Sequence, residues 1–127
     1  MSIRRPFLIP ILLVVLLGLG CAGRAWRAAQ TEDSAAAYHR YIREHPDSKH
    51  VAEAKARLAF VRVRSKPTAA AFEEFAEKFA GSPLVDELRP LVEEPFFEQA
   101  RARGTAEGYR AFLADFPDGR NAACASR

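Results

Sequence analysis

One short phrase occurs three times in this chain of 127 residues. The copies read YHRYIREHPDS at 38–48, FEEFAEKFAGS at 72–82 and YRAFLADFPDG at 109–119. Their first aromatic residues are separated by 34 and then 37 residues, and they are Tyr38, Phe72 and Tyr109. A period of this length indicates that one small structural unit is used three times, and this constrains the fold more than any other feature.

Each copy has the spacing of an amphipathic helix with one buried face. From the first aromatic, the face continues at three, four and seven places along the chain. The residues at three places are predicted to be buried, and they are Tyr41, Phe75 and Phe112. The residues at seven places complete the stripe, and they are His45, Phe79 and Phe116.

Both ends of these helices are signalled in the sequence. Four places before each first aromatic stands a residue that can cap a helix by accepting a backbone N–H bond: Ser34, Thr68 and Thr105. Eight places after each first aromatic stands a proline or an alanine, and two places further stands a serine or a glycine. This order is typical of a turn. We predict turns near residues 46–49, 80–83 and 117–119.

A second helix completes each unit. After Ser48 another apolar stripe leads towards Phe60, whose counterpart in the next unit is Phe97. We expect both phenylalanines to pack against neighbouring helices, so the unit is a helical hairpin and the fold class is all-α. The next interval holds three more residues and two prolines, which favours a kink or break between residues 88 and 96 and a restart of the helix there.

The first 20 residues have the features of an export signal. Arg4 and Arg5 precede an uncharged, leucine-rich stretch of fourteen residues at 7–20. This stretch is shorter than the roughly 20 residues that span a bilayer as a helix. Residues 6–23 give an uncharged length of eighteen, so two interpretations remain, a cleaved signal over 1–20 and an uncleaved membrane anchor.

The sequence LGLGC at 17–21 resembles the lipobox of bacterial lipoproteins, in which a cysteine after small residues is lipidated and becomes the mature N-terminus. The resemblance implies that Cys21 carries lipid and that 21–127 form the mature repeat domain. Its acyl chains would then hold the protein to a membrane. The family usually has a larger aliphatic residue where this chain has Gly18, and the alternative is a plain signal in which Cys21 is incidental.

The mature chain would carry little net charge. Removing residues 1–20 removes two arginines and no acidic residue, which leaves 17 basic against 16 acidic residues. Binding to nucleic acid depends on several Lys or Arg side chains that neutralise phosphates, so we expect no nucleic-acid partner. The arginines of RVRSK and RARG are interpreted as residues at helix ends, with nucleic-acid or lipid-headgroup binding as the alternative.

The period of 34, the aromatic-x-x-aromatic helix, the HPDS and FPDG turns and the AEAKARL helix resemble tetratricopeptide-type repeats. The variant that the chain most resembles belongs to bacterial cell-envelope lipoproteins and their relatives. The resemblance covers roughly residues 25–127 and implies a short right-handed α-α superhelix of about three tetratricopeptide-like helical hairpins. The Leu-Gly pair and the following tyrosine of the repeat are absent here, so the chain resembles a degenerate member.

No residue pattern typical of an enzyme or a metal site is present. The three histidines lack the i, i+4 spacing of a helical metal pair, and we predict no catalytic residue, no metal and no cofactor. The carboxylates Glu73, Glu74 and Glu77 lie off the apolar stripe and are interpreted as a solvated face. Cys124 is interpreted as a passive small residue, with pairing between chains as the alternative.

Four aromatic residues coincide with the predicted core, although helical repeats can also present such side chains in a concave peptide groove: Trp26, Tyr38, Tyr41 and Tyr109. The last stretch, GRNAACASR, begins a second helix of the third unit and stops before the counterpart of Leu58. We expect the incomplete helix to expose apolar surface of Phe112, Leu113 and Phe116, which would dock a partner or a second copy. The alternative is a short frayed end covered by its own last turn.

Together these features predict a lipid-anchored, periplasm-facing scaffold or accessory subunit of a bacterial envelope assembly. It would be held at the membrane through Cys21 and would bind a protein partner. Ala22 after the lipidated cysteine, in place of aspartate, implies the outer membrane under the rule known for enteric bacteria. The alternatives are an uncleaved, signal-anchored subunit of a membrane complex and a small envelope hydrolase with an unfamiliar site. Neither the partner nor the oligomeric state is determined by these features.

Overall fold

The chain folds into helices joined by short turns. A computed structural model describes the backbone of residues 9–127 and the side chains from residue 20 onwards, and this part contains no strand. The all-α prediction is confirmed, while Arg4 and Arg5 of the predicted signal lie outside the described residues. The helices are α1 (Ile9–Glu32), α2 (Ala35–Glu44), α3 (Val51–Ser65), α4 (Ala69–Lys78), α5 (Pro83–Arg103), α6 (Ala106–Asp115) and α7 (Ala122–Ala125).

These helices divide into two compact units, Met1–Leu58 and Ala59–Arg127. In the first unit, α1 packs against α2. In the second, α5 packs against both α4 and α6, and α6 also contacts α7. Helix α3 runs through the boundary between the units, because it begins at Val51 and ends at Ser65.

Helices α2, α4 and α6 begin in the same way. Each N-cap side chain accepts a hydrogen bond from the backbone N–H three residues later, as predicted. The donor and acceptor pairs are Ala37 to Ser34 at 3.0 Å, Ala71 to Thr68 at 3.1 Å and Gly108 to Thr105 at 3.1 Å. The three caps therefore satisfy equivalent backbone donors in all three copies of the repeat.

The same three helices also end in the same way, at the aromatic residue seven places after the first. Its backbone N–H donates to the carbonyl four residues earlier, at 2.9 Å in each copy. The two rings of each pair are also in contact, with centroid separations of 5.1 Å for Tyr41 and His45, 4.9 Å for Phe75 and Phe79, and 5.5 Å for Phe112 and Phe116. The predicted turns follow directly, at 46–47, 79–81 and 117–118.

The predicted aromatic positions lie in the cores of the two units. In the first, Trp26 packs against Tyr41 at a centroid distance of 5.2 Å and stacks on His50 at 5.1 Å. In the second, Phe60 contacts Phe75, and the half-buried Phe97 contacts Phe112 at 5.3 Å. The predicted burial is confirmed for Tyr41, Phe75 and Phe112, and the predicted packing is confirmed for Phe60 and Phe97.

Helix α5 differs from its prediction. It is continuous over 21 residues although Pro90 and Pro95 lie inside it, so of the predicted kink or break the break with its restart is wrong, and the kink stays a prediction. Each proline removes a bond to the carbonyl four residues earlier, and those carbonyls belong to the exposed residues Asp86 and Leu91, where water can satisfy them. Burial of the opposite face, through Leu84, Leu88 and Val92 among others, offsets the cost of the prolines.

Helix α1 continues through Cys21, which is exposed, to Glu32. Across the part of the chain that the structure describes, no helix combines the length and the apolar character needed to cross a membrane.

Two leucines of α5 provide a matched test of this packing. Leu88 is 0 % exposed, whereas Leu91, three residues later on the same helix, is 45 % exposed. We expect Leu88→Ala to lower the free energy of unfolding by about 2–5 kcal/mol, because it opens a cavity between packed helices. Leu91→Ala should change it by less than about 0.5 kcal/mol. Urea unfolding followed by circular dichroism measures both, and equal losses would contradict the assigned faces of α5.

Candidate functional site

An open groove of about 280 Å³ lies in the unit Ala59–Arg127, and we call it the acidic groove. Its lining comes from α4, from the end of α6 and the turn that follows it, and from Arg89 of α5. Its apolar lining consists of Phe72, Ala76, Phe116 and Pro117. The repeat thus brings two equivalent helices, α4 and α6, to one groove.

The charged lining of the acidic groove is mostly negative. Glu73 and Glu77 come from α4, and Asp115 and Asp118 come from the end of α6 and its turn. All four are exposed, and none has an ion-pair partner among the described residues. The one cation of the lining, Arg89, lies with its guanidinium carbon 5.1 Å from the centroid of the Phe72 ring.

The turn at one end of the acidic groove is built differently from its counterparts. After α2, the Ser48 hydroxyl accepts the N–H of His50 at 3.2 Å. After α4, the Ser82 hydroxyl accepts the N–H of Leu84 at 3.3 Å. The third turn has Gly119 at the equivalent place, which has no side chain to accept such a bond.

Glu93 of α5 supplies the missing acceptor. Its Oε1 accepts the N–H of Asn121 at 2.9 Å, the bond that a serine hydroxyl makes in the other two turns. Glu93 is 1 % exposed, and a Cβ added to Gly119 would lie 2.6 Å from Oε1. Glycine is therefore required at 119 because the carboxylate occupies the space of the absent serine side chain. The other oxygen, Oε2, is buried and accepts no hydrogen bond from the described residues.

The titratable residues outside the groove form no metal-binding cluster among the described residues. In the described part of the chain, no three His, Cys, Asp or Glu side chains are placed to hold a metal ion. The pKa of Glu32 is lowered by hydrogen bonds from the Ser34 hydroxyl, at 2.7 Å, and from Arg40, at 2.8 Å. This carboxylate stabilises the corner between α1 and α2.

The C-terminal flank that the sequence predicts is not exposed. Phe112 is 3 % exposed and Phe116 is 5 % exposed, while Leu113 is half-buried. Two rings of α5 account for this, because Phe97 contacts Phe112 and Phe96 lies 5.5 Å from Phe116. The expected exposure of Phe112 and Phe116 is therefore wrong, whereas the half-buried Leu113 keeps part of its side chain accessible. The short helix α7 also contacts α6, in keeping with the alternative of an end covered by its own last turn.

The remaining predicted residues lie at the surface or in the core. Cys21 and Cys124 are both exposed and unpaired. Trp26, Tyr38 and Tyr41 are buried core residues, although Tyr41 also borders a small pocket of about 200 Å³ in the first unit.

The residues of the acidic groove were not identified from the sequence as a group. Glu73 and Glu77 were expected to be exposed, and they are, but their proximity to Asp115 and Asp118 depends on how α4 and α6 pack on α5. The loss of serine at Gly119 was the one available signal that the third turn differs.

A shallower groove of about 590 Å³ lies on the outer side of α5, around Pro90, Leu91 and Pro95. It has fewer charged groups than the acidic groove, and Glu94 and Glu98 at its edge already bind Asn121 and Arg101. We therefore consider the acidic groove the stronger candidate.

Comparison with protein-family models, with curated proteins and with solved structures finds no match to this chain.

The substituted turn leads to a prediction for two variants and their combination. Gly119→Ser should lower the free energy of unfolding by about 1–3 kcal/mol, because its Cβ meets the buried carboxylate. Glu93→Ala should lower it by a similar amount, about 1–3 kcal/mol, because the N–H of Asn121 loses its acceptor.

In the double variant the serine hydroxyl can replace the carboxylate as acceptor. We expect its loss to be smaller than the sum of the single losses by about 1 kcal/mol or more. Chemical unfolding of all four proteins measures this coupling. Additive losses would show that Glu93 and Gly119 do not interact as described.

Proposed function

We propose that this protein is a lipid-anchored, periplasm-facing scaffold or accessory subunit of a bacterial envelope assembly, and that it binds a partner protein through the acidic groove. The observation that carries the proposal is the groove itself. It combines an apolar lining with four exposed carboxylates that have no ion-pair partner among the described residues. Apolar surface beside available charge is the composition of a protein-binding surface with a polar rim.

The chemistry of the groove favours binding over catalysis. Its lining has carboxylates and one arginine, but it has no histidine, serine or cysteine. Its volume of about 280 Å³ is at the lower limit of the roughly 300–1,000 Å³ typical of small-molecule sites. An open channel of this size fits side chains of a peptide segment that extends beyond it.

The recurring helix ends support the tetratricopeptide-like interpretation. Each of α2, α4 and α6 has ten residues, begins at a Ser or Thr cap and ends at an aromatic or histidine residue before a turn into the next helix. We propose that these helical hairpins form a short right-handed superhelix. Its repeated positions would stabilise the fold, and its surface positions would contact the partner protein.

The lipid anchor is proposed from the lipobox resemblance and from the position of Cys21. Cys21 is exposed on α1, five residues before the buried Trp26. At about 1.5 Å of helix per residue, a lipid on Cys21 would be roughly 8 Å along the helix from Trp26. The anchor would therefore attach almost directly to the folded first unit.

Two exposed cysteines make the anchor testable with a matched control. We expect Cys21→Ala to accumulate as an unprocessed precursor that takes up no labelled fatty acid, because the lipid-accepting thiol is absent. Cys124→Ala should be processed and labelled as the wild type is. Intact mass of membrane-extracted protein measures both outcomes. Normal processing and release of Cys21→Ala would exclude the lipoprotein, and an unshortened wild-type chain would indicate a signal-anchored subunit.

The binding role is tested by a photo-crosslinking amino acid placed at one of two alanines of α4. Ala76 lines the acidic groove and is half-buried, whereas Ala70 is exposed and does not line it. We expect crosslinking in intact cells to join the Ala76 variant to one defined envelope protein, which a reciprocal pull-down then recovers. Equal adducts from Ala70, or none from Ala76, would contradict binding at this groove.

A further inference from the structure

The charges of the acidic groove indicate the chemistry of its partner. We propose that the groove binds a protein segment in which lysine or arginine side chains alternate with aliphatic side chains. This inference rests on the proposed binding function and specifies its partner class.

The negative charge is local to the groove. Four carboxylates and one arginine give the lining a formal charge of −3, whereas residues 21–127 as a whole carry 17 basic and 16 acidic side chains. General attraction between the whole chain and a cation is therefore weak. A cationic side chain in the groove would meet several carboxylates within a few ångströms, a distance at which opposite charges attract even near a hydrated surface.

Helix ends add to this local field. Glu77 lies in the last turn of α4, and Asp115 is the last residue of α6. Helix C-termini carry partial negative charge, which disfavours acidic side chains there and attracts cations. The last turn of α6 also lacks a basic residue. Lys78 offsets this effect in the last turn of α4, whereas Asp115 lowers the stability of α6 unless a cation lies beside it.

The repeat does not require acids on the α4 side of the groove. At the places of Glu73 and Glu77, the first copy has His39 and Arg43, and the third copy has Arg110 and Ala114. Since the helices fold alike with any of these side chains, folding does not explain the two glutamates. They distinguish α4 from its two equivalent helices, α2 and α6.

The apolar lining selects a peptide over an isolated cation. Phe72 and Phe116 are buried where they line the groove, so the half-buried Ala76 and the exposed Pro117 supply most of its accessible uncharged surface, which a metal ion would leave uncovered. Aliphatic side chains between the cationic ones would bury this surface, and each Å² of apolar area removed from water contributes about 25 cal/mol. Anionic lipid headgroups and nucleic-acid phosphates are repelled by the same carboxylates.

Binding of defined peptides to the full chain in nonionic detergent tests the proposal. The probe is a short fluorescein-labelled peptide of alternating lysine and valine, with micelles that lack protein as the blank. We expect it to raise the fluorescence anisotropy, and to bind about tenfold more weakly when the ionic strength rises from about 0.05 M to about 0.5 M. Peptides with glutamate in place of lysine, or with serine in place of valine, should bind much more weakly.

Equivalent positions of the repeat provide a charge-reversal pair with its own control. Asp115→Lys with Asp118→Lys changes the formal charge of the lining from −3 to +1, and we expect at least about a tenfold loss of affinity. The control is Glu44→Lys with Asp47→Lys, which makes the same change at the equivalent places of the first copy. It should retain wild-type affinity. All four positions are exposed, and circular dichroism verifies that both variants fold.

Arg89→Met changes affinity in the opposite direction. The methionine keeps an apolar chain over Phe72 and removes the only cation of the lining, so binding of the lysine peptide should tighten severalfold.

The proposal is overturned if the lysine peptide does not bind the wild type, if the serine-containing peptide binds equally well, or if charge reversal and control lose affinity alike. Crosslinking at Ala76 distinguishes failure of the proposed binding function from failure of the proposed partner class. If the charge-reversed protein still captures a partner at Ala76, the binding function stands and the cationic-partner inference is wrong.

Discussion

The contact that the rest of this structure depends on is a pair of rings on successive turns of one helix, followed at once by the end of that helix. In each copy, the ring seven places after the first aromatic packs on the ring at three places, while its own N–H closes the last hydrogen bond to that residue. The same residue thus contributes apolar burial and helix termination. Because both depend on one spacing, a chain that repeats the spacing also repeats the places where its helices end.

This coupling explains why the turns vary in detail without changing the fold. The first turn adds a bond between the hydroxyls of Tyr41 and Ser48 at 2.6 Å, and the third recruits Glu93 from a neighbouring helix. Once the ring pair has ended the helix, the next backbone donor needs an acceptor, but the acceptor need not come from the turn itself. With Gly119 in place of serine, the acceptor is Glu93 of α5, which lies 26 residues earlier in the sequence. The resulting hydrogen bond joins the turn at the end of the acidic groove to α5.

Most of the helical framework could be predicted from the sequence, because caps, stripes and turns are local features. Ser34, Thr68 and Thr105 cap as expected, and Tyr41, Phe75 and Phe112 are buried as expected. The failures are tertiary. A proline rule alone indicates a break in α5, yet packing of its other face keeps the helix continuous through Pro90 and Pro95. Counting residues at the C-terminus suggests exposed rings, yet Phe96 and Phe97 cover Phe116 and Phe112.

The candidate site could not be predicted for the same reason, and this has a consequence for how repeats of this kind are interpreted. Positions that recur in all three copies satisfy backbone groups or fill a core, so their agreement carries information about stability. Positions that differ between copies can serve a purpose that is local to one copy, which is structural at Gly119. Glu73 and Glu77 differ from their counterparts in charge, whereas Asp115 and Asp118 match Glu44 and Asp47 in charge. The acidic groove therefore arises because packing on α5 brings two unusual residues of one copy into the same groove as two ordinary residues of another. Neither pair identifies a site in the sequence by itself, and only the packing of α4 and α6 on α5 makes the two pairs a single surface.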